Sequence, residues 1–452
     1  MLTTYKFRFL VLLSFCVVNA ANAILWISFA PLNTMSQAIY GVSAMEINAL
    51  SICFLALYLP GTLLSMYVFN RFSLRVGLIV GSIMTMIGAW IRFGASPNYG
   101  AVLFGQCLAG LAQPFFTNIP AKVASRWFPV RERDLATVVG SMSNPIGIAI
   151  GTLVGTEFVL PSQTLQEQEQ GMKTWLLVQA LIATVGTLLV LGLFRDRPQT
   201  PASLSQEATV FQQPNERQSF ALVCLESWGH VKRCFGDRSY CFLFAAFGLG
   251  LGMFNSLTTL VEQITRPSCA TASDASTFGG LLIGIGLVGA GLVGLWLDRS
   301  HRYQLAIRLG FGLGFVLTLA LTLALQPNLI DLQSALFALL GLVMLPMLPT
   351  AFSCAAETTF PVPEDVSSGL LMTSGQLTGI AFIFGLGELI PQPTAEELAV
   401  HCNGTSSGDE FTYPGSSILL IVIVGLAFLC TLGVQNKHSR LEVDEQALLP
   451  KA

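Results

Sequence analysis

The chain has 452 residues, 53% of them hydrophobic and 11% charged, with a formal net charge of −3 and a mean hydropathy of +0.65. Soluble domains carry roughly 25% charged residues, so this composition excludes a water-soluble globular protein and defines an all-α polytopic membrane chain. The net charge says nothing further about partners, and no nucleic acid is expected among them.

Apolar stretches of about 20 residues, enough to span a bilayer, recur along the chain. They fall near 8–32, 47–69, 76–95, 100–125, 135–160, 174–194, 239–264, 277–297, 304–325, 332–356, 366–390 and 414–434, and predict 12 transmembrane helices. The first follows Lys6 and Arg8 as a signal peptide would. Its apolar core is too long for one and further spans follow, so a retained signal anchor is expected. Asn22 and Trp26 lie one helical turn apart in this span, ahead of the helix-breaking Pro31. Polar groups at that depth are costly and tend to face a cavity. Trp26 reads as pocket-lining, the alternative being an interfacial belt residue. Asn22 either joins it or bonds a neighbouring helix. The loop after the second span carries Asn70, Arg71 and Arg75. Lys122, near the end of the fourth, either snorkels or pairs at an inner gate. Asn144 lies within the fifth span.

The stretch 195–238 is polar and contains Pro198, Pro201 and Pro214. It reads as a linker between two six-helix bundles, 1–194 and 239–434, with a tail at 435–452. In the second bundle, Asn255 stands in the seventh span and Glu262 near its end. A carboxylate there either binds a cation or carries a proton, or sits in a wetted vestibule. Asp298 and Arg299 open the loop after the eighth span, Glu357 ends the tenth, and Gln376 lies within the eleventh. The loop 391–413 holds Cys402 and the glycosylation sequon Asn403-Gly-Thr405. Cys269, in the other large loop on that side, is its expected oxidised partner. The tail contains Asp444-Glu-Gln-Ala-Leu448-Leu449. An acid four residues before a dileucine is either a sorting signal for a coat adaptor or part of a solvated tail.

Lys and Arg are asymmetric across these spans. Nineteen of the 23 fall on one side, the exceptions being Arg92, Lys122, Lys173 and Arg266. By the positive-inside rule both termini are expected in the cytoplasm. The halves also repeat. Phe128-Pro129-Val130 recurs as Phe360-Pro361-Val362, an offset of 232, and the Asn70-Arg71 loop recurs as Asp298-Arg299, an offset of 228. Asn144 and Gln376 are mates at the first of these offsets, and either line a central pocket or bond neighbouring helices.

Catalytic and cofactor signatures are missing or out of context. Gly284-Ile-Gly286-Leu-Val-Gly289 matches a dinucleotide pattern, but within an apolar span with no strand before it, so helix packing is expected. Gly404-Thr-Ser406-Ser-Gly408 matches a hydrolase elbow, but in a polar loop. No P-loop, HExxH, CxxC or intramembrane His is present. No enzyme, cofactor or metal is expected.

Two six-helix repeats resemble the major facilitator superfamily, whose sites lie between the halves. The Asp298-Arg299 loop, with Gly294 before it, resembles the superfamily's gating motif, and Arg71 stands in its first-half copy, where Asn70 replaces the acid. Longer phrases narrow the resemblance. They are Asn22 to Pro31, Gly88-Ala-Trp-Ile-Arg92, Pro120 to Pro129, Met142-Ser-Asn144-Pro145, Leu260-Val-Glu262-Gln263 and Phe360 through Gln376. Together they resemble the feline leukaemia virus subgroup C receptor-related transporters, in a branch beside the choline carriers. That resemblance implies an aromatic cage for a quaternary ammonium, to which Asn22, Trp26 and Gln376 correspond. Asn255 stands where the cage has its second aromatic and is expected in the pocket with them, and Pro145, beside Asn144, stands where it has a Gln. Half of the cage is absent. The resemblance therefore implies a carrier of some small polar or cationic solute, choline-, ethanolamine- or vitamin-like, working by alternating access. Its alternatives are a haem or porphyrin exporter and a non-transporting receptor or sensor. A monomer in the plasma membrane or a lysosomal or vacuolar membrane is expected.

Overall fold

The computed structural model describes residues 5–198, 220–300, 302–327, 329–360, 362, 364–390 and 414–435. All regular structure among them is helical. Ten segments are long and apolar enough to cross a bilayer. Two more complete the set of 12 spans: a broken segment over 99–127 and the shorter apolar helix Gly415–Thr431.

The first span is α1 (Arg8–Ile27), a 3-10 turn (Ala30–Leu32) and α2 (Asn33–Tyr40). Then follow α3 (Ala44–Arg71) and α4 (Leu74–Ala95), each one span. The fourth span is split into α5 (Tyr99–Ala112), α6 (Pro114–Thr117) and α7 (Pro120–Trp127). The fifth is α8 (Val130–Phe158) and the sixth α9 (Leu165–Leu193). A separate helix, α10 (Phe220–Gly236), precedes the second half. The seventh span is α11 (Arg238–Thr259) with α12 (Val261–Thr265). Next come α13 (Ala272–Ser300) and α14 (Tyr303–Leu323). The tenth span is split into α15 (Ile330–Met344) and α16 (Met347–Thr359), and α17 (Glu364–Leu389) and α18 (Pro414–Thr431) close the bundle. The face where α1 begins and α18 ends is called here the terminus face, the opposite one the distal face.

Helix ends in a membrane leave N–H and C=O groups that must find partners. On the distal face these come from capping boxes. Ser43 and Glu46 start α3, and Thr164 and Glu167 start α9. Thr271 and Asp274 exchange the same bonds at the start of α13, at the repeat position of Ser43 and Glu46. Gly41, at φ +65°, closes α2 in the left-handed conformation that suits glycine. On the terminus face, arginines from neighbouring helices satisfy C-terminal carbonyls. Arg75 donates to the Leu191 carbonyl at 3.0 Å, and Arg308 to those of Leu432 and Val434 at 2.7 and 3.2 Å. A cation beside the negative end of a helix is favourable.

The cap at Thr164 moves the start of the sixth helix to Leu165, ahead of the 174 expected from hydropathy, because its first two turns are polar. The fifth likewise starts at Val130 rather than 135. The polar stretch 195–238 also contains a helix, α10, packed on α11, α17 and α3.

The halves pack as repeats. In the first, α1 lies along α8; in the second, α11 lies along α17. Between halves, α8 meets α13 and α3 meets α17. An apolar cluster crosses the interface, joining Trp26 and Leu55 to Met253 and Phe278. The outward faces carry exposed Leu188, Leu292, Leu309 and Ile418, which bilayer lipid covers. The Gly-rich stretch 284–289 is a packing seam. A Cβ on Gly286 would lie 2.9 Å from the Gly341 carbonyl oxygen, so α13 and α15 touch backbone to backbone.

The breaks in the spans are paired. Pro114 and Pro346, 232 residues apart, stand at the breaks of the fourth and tenth spans. The first span breaks at 28–32 and the seventh at Leu260, 228 residues beyond Leu32. Discontinuous helices at repeat-related positions are where carriers of this architecture build their sites.

Candidate functional site

A cavity of about 100 Å³ lies between the halves, beside these breaks. Its wall is aromatic and amide in character. Trp26, Phe247, Phe254, Phe311 and Phe352 contribute rings, and Phe247 and Phe352 lie 5.8 Å apart between centroids. Trp26 and Phe254 are repeat mates at the offset of 228. None of the described lining residues is ionisable.

Of the five residues expected in a pocket, four line this cavity: Trp26, Asn144, Asn255 and Gln376. Trp26 is 3% exposed and its Nε1–H has no partner. Asn255 donates to Gln376 Oε1 at 3.1 Å, which ties α11 to α17. Asn144 donates to Asn19 Oδ1 at 3.5 Å, and Asn19 donates to Ser143 Oγ at 2.8 Å, which ties α8 to α1. The fifth residue departs from expectation. Asn22 points away from the cavity and donates to Thr85 Oγ1 at 3.0 Å and the Ala109 carbonyl at 2.9 Å. It bonds neighbouring helices, because α4 and α5 cover its face of α1.

Glu262 lies beyond the seventh-span break, outside the cavity lining. It is 8% exposed, and its Oε1 accepts from Thr34 of the other half. Arg266 donates to Thr34 Oγ1 at 3.0 Å and to Glu262 Oε1 at 3.3 Å. Beside them, Gln263 donates to Asn48 Oδ1 at 3.4 Å, and Ser276 to the Thr152 carbonyl at 2.8 Å. These bonds join the halves on the distal side. Towards the terminus face, the Tyr58 hydroxyl donates to Asn118, which bonds Thr62 at 3.5 Å. Gly369 of α17 comes against Asn118 and Thr62.

Arg71 and Arg299 are exposed on the terminus face. The side chain of Asp298 lies outside the described residues, as do Cys402, Asn403, Asp444, Leu448 and Leu449. Cys269 is disulfide-bonded. No group of three or more metal-ligating side chains occurs among the described residues.

Sequence reasoning passed over Gln113, Ser141, Phe247, Phe311 and Phe352, all of which line the cavity. Gln113 carried a signal, an amide directly before a proline inside an apolar run. The phenylalanines carried none, since Phe fills both cores and lipid faces.

Twelve spans in two related halves around a central cavity define a membrane transporter that works by alternating access. The sequence matches the Major Facilitator Superfamily over residues 11–383. It is 30% identical over 390 residues to the choline/ethanolamine transporter FLVCR2 of Rattus norvegicus, covering 85% of this chain and 70% of that one. It is 29% identical over 441 residues to solute carrier family 49 member A3 of Xenopus tropicalis, covering 95% and 86%. Its fold is similar to that of a bacterial homologue of the human lysosomal transporter Spinster, with a TM-score of 0.65, 14% identity, and 96% and 98% of the two chains covered. The E. coli fucose:proton symporter FucP gives a TM-score of 0.64 at 14% identity, with 95% and 98% covered. The chain belongs to the major facilitator superfamily, in its FLVCR-related family. It is a multi-pass membrane carrier of a small organic solute, not an enzyme.

Proposed function

We propose that the chain carries a small solute with a cationic or methylated head, of the choline and ethanolamine kind, through the central cavity. The observation that carries this is the aromatic wall around Trp26 in a cavity none of whose described lining residues is ionisable. A ring face attracts a quaternary ammonium, and desolvation strengthens that attraction. A charge-free wall neither repels such a head nor binds it so tightly that it cannot leave. The rings of Phe247, Phe254, Phe311 and Phe352 stand in for the part of the cage that Asn255 leaves empty.

Trp26, Asn144, Asn255 and Gln376 act as substrate-binding residues, and Glu262 acts with Thr34 in the distal gate. The Arg71 and Asp298-Arg299 loops gate the terminus face. The Lys and Arg asymmetry supports a cytoplasmic position for that face. The distal loops are then outside, which suits a Cys269–Cys402 bridge and sugar on Asn403. Asp444, Leu448 and Leu449 engage a sorting adaptor, and the carrier works as a monomer.

The test is uptake of labelled choline and ethanolamine in cells expressing the chain or Trp26→Ala. Loss of a desolvated cation–π contact, about 2 kcal/mol, predicts roughly a thirtyfold weaker apparent affinity at unchanged surface level. Normal uptake by Trp26→Ala would remove Trp26 from the site.

A further inference from the structure

Helix α10 has two unlike faces. On the inner one, Cys234 is buried in an apolar cluster with Tyr58 of α3 and Leu371 of α17, and Val231 packs against it. The helix also lies along α11, so it touches both halves where α3 meets α17. The outer face carries Trp228, 58% exposed, and Phe235, 41% exposed. Lys232 and Arg233 are exposed beside them, and Arg238 is exposed at the start of α11. The Lys232 ammonium lies 5.9 Å from the centroid of the Trp228 ring, one turn away. Glu226 and Asp237 are the acids of this stretch. Asp237 is engaged in capping α11, accepting from the Ser239 and Tyr240 N–H groups at 2.8 and 3.3 Å.

The bilayer boundary runs past this outer face. α10 ends at Gly236 and the seventh span begins at Arg238, so the last turn of α10 cannot leave the membrane surface. The Phe235 ring lies 5.0 Å from that of Phe244, in the second turn of the span. Phe242, on that same turn, is 44% exposed and covered by lipid. Aromatic rings beside Lys and Arg at this depth compose a helix that lies in the interface, rings toward the acyl chains and cations toward the headgroups. The terminus face, proposed above to be cytoplasmic, meets the leaflet where anionic lipid concentrates.

We propose that α10 is a docking site for anionic phospholipid. Lys232, Arg233 and Arg238 receive the charged headgroup, and Trp228 and Phe235 rest against the upper part of the chains. The lipid so held bears on a helix that touches both halves, which links the composition of the leaflet to the contact between α3 and α17. None of this depends on what the central cavity carries.

The full-length protein purified in detergent tests this by its binding of phosphatidylserine and phosphatidylcholine carrying the same fluorescent acyl chain. An anionic partner gains about fivefold for each adjacent Lys or Arg, so wild type should bind phosphatidylserine at least about twentyfold more tightly. About 1 M salt should remove most of that preference. Lys232→Gln with Arg233→Gln should cut it by about tenfold or more. Trp228→Ser should weaken both lipids severalfold and in equal proportion. Arg197→Gln, which removes an exposed cation from the first half of the same face, should leave the preference as it is. Equal binding of the two lipids by wild type overturns the proposal, as does a preference kept in the double variant. An equal loss in Arg197→Gln assigns the effect to the whole face and overturns the site. Glycerophosphoserine, the headgroup without chains, competing as well as the lipid makes α10 a site for a soluble anion and overturns the lipid.

Discussion

Arg92 shows how one side chain can hold a break open in a helix. Its guanidinium is 1% exposed and faces no carboxylate among the described residues. Its Nη2 donates to Ser28 Oγ at 2.7 Å, and Ser28 donates to the Leu25 carbonyl at 2.9 Å. Gln106 donates to that same carbonyl at 2.9 Å. The charge thus rests against the negative, C-terminal end of α1 and 5.1 Å from the Phe29 ring centroid. This network fixes the turn two residues after Trp26. Nε and Nη1 have no partner, so the burial is poorly compensated. A buried charge of that kind costs stability that an apolar side chain of similar size recovers. Arg92→Met should therefore melt no lower than wild type, yet take up solute at least about tenfold more slowly, as Trp26 loses its support. Thermal unfolding in detergent and uptake measured side by side check both halves. A variant that melts several degrees lower and transports normally contradicts the account.

At the scale of elements, the breaks were the hard part to foresee. Hydropathy located the 12 spans, because length and apolar content are all that crossing a bilayer demands. It did not separate a broken span from a continuous one. Pro60 and Pro145 lie inside α3 and α8, which continue through them, whereas Pro114 and Pro346 stand where their spans break. A proline frees one carbonyl in either case, and whether neighbours re-satisfy it is decided by tertiary packing. The start of α9 was obscured for another reason. Its cap belongs to a polar segment that an apolar window cannot see. The site divides along the same line. Trp26, Asn144 and Gln376 were conspicuous as polar or amphipathic groups in apolar runs, and Asn255 came from the family resemblance. Phe247, Phe311 and Phe352 are three of 31 phenylalanines, and their inward direction comes from helix rotation alone. Gln113 was overlooked because its repeat mate is Leu345, so the internal comparison that singled out Asn144 with Gln376 was silent there. Asn22 was read from its depth, its spacing from Trp26 and the family resemblance, none of which says which neighbour a side chain faces.

For the whole molecule, the state is set by what bridges the halves. On the distal side the bridge is polar and small: Thr34 with Glu262 and Arg266, Asn48 with Gln263, Thr152 with Ser276. Removing the Thr34 hydroxyl takes away both the donor to Glu262 and the acceptor from Arg266. Thr34 itself is exposed, so its bonds contribute about 0.5–1.5 kcal/mol, enough to move a two-state equilibrium severalfold. Thr34→Val should thus favour the distal-open state. Spin labels at Gln163→Cys and Ser273→Cys, with other reactive thiols removed, should report a longer distance in that variant, and an unchanged distribution would count against the latch. The charge-free cavity has a further consequence, electrical in kind. The cationic cargo proposed above meets no counter-ion among the described lining residues, so on that proposal the loaded carrier is one unit more positive than the empty one while it reorients. A potential of 100 mV acts on that unit with about 2.3 kcal/mol. On that proposal the loaded step feels the membrane voltage and the empty return does not, and the voltage is expected to accumulate the cargo on the negative side. In proteoliposomes, choline uptake should climb with an inside-negative potassium diffusion potential and stay flat under a proton gradient at zero voltage.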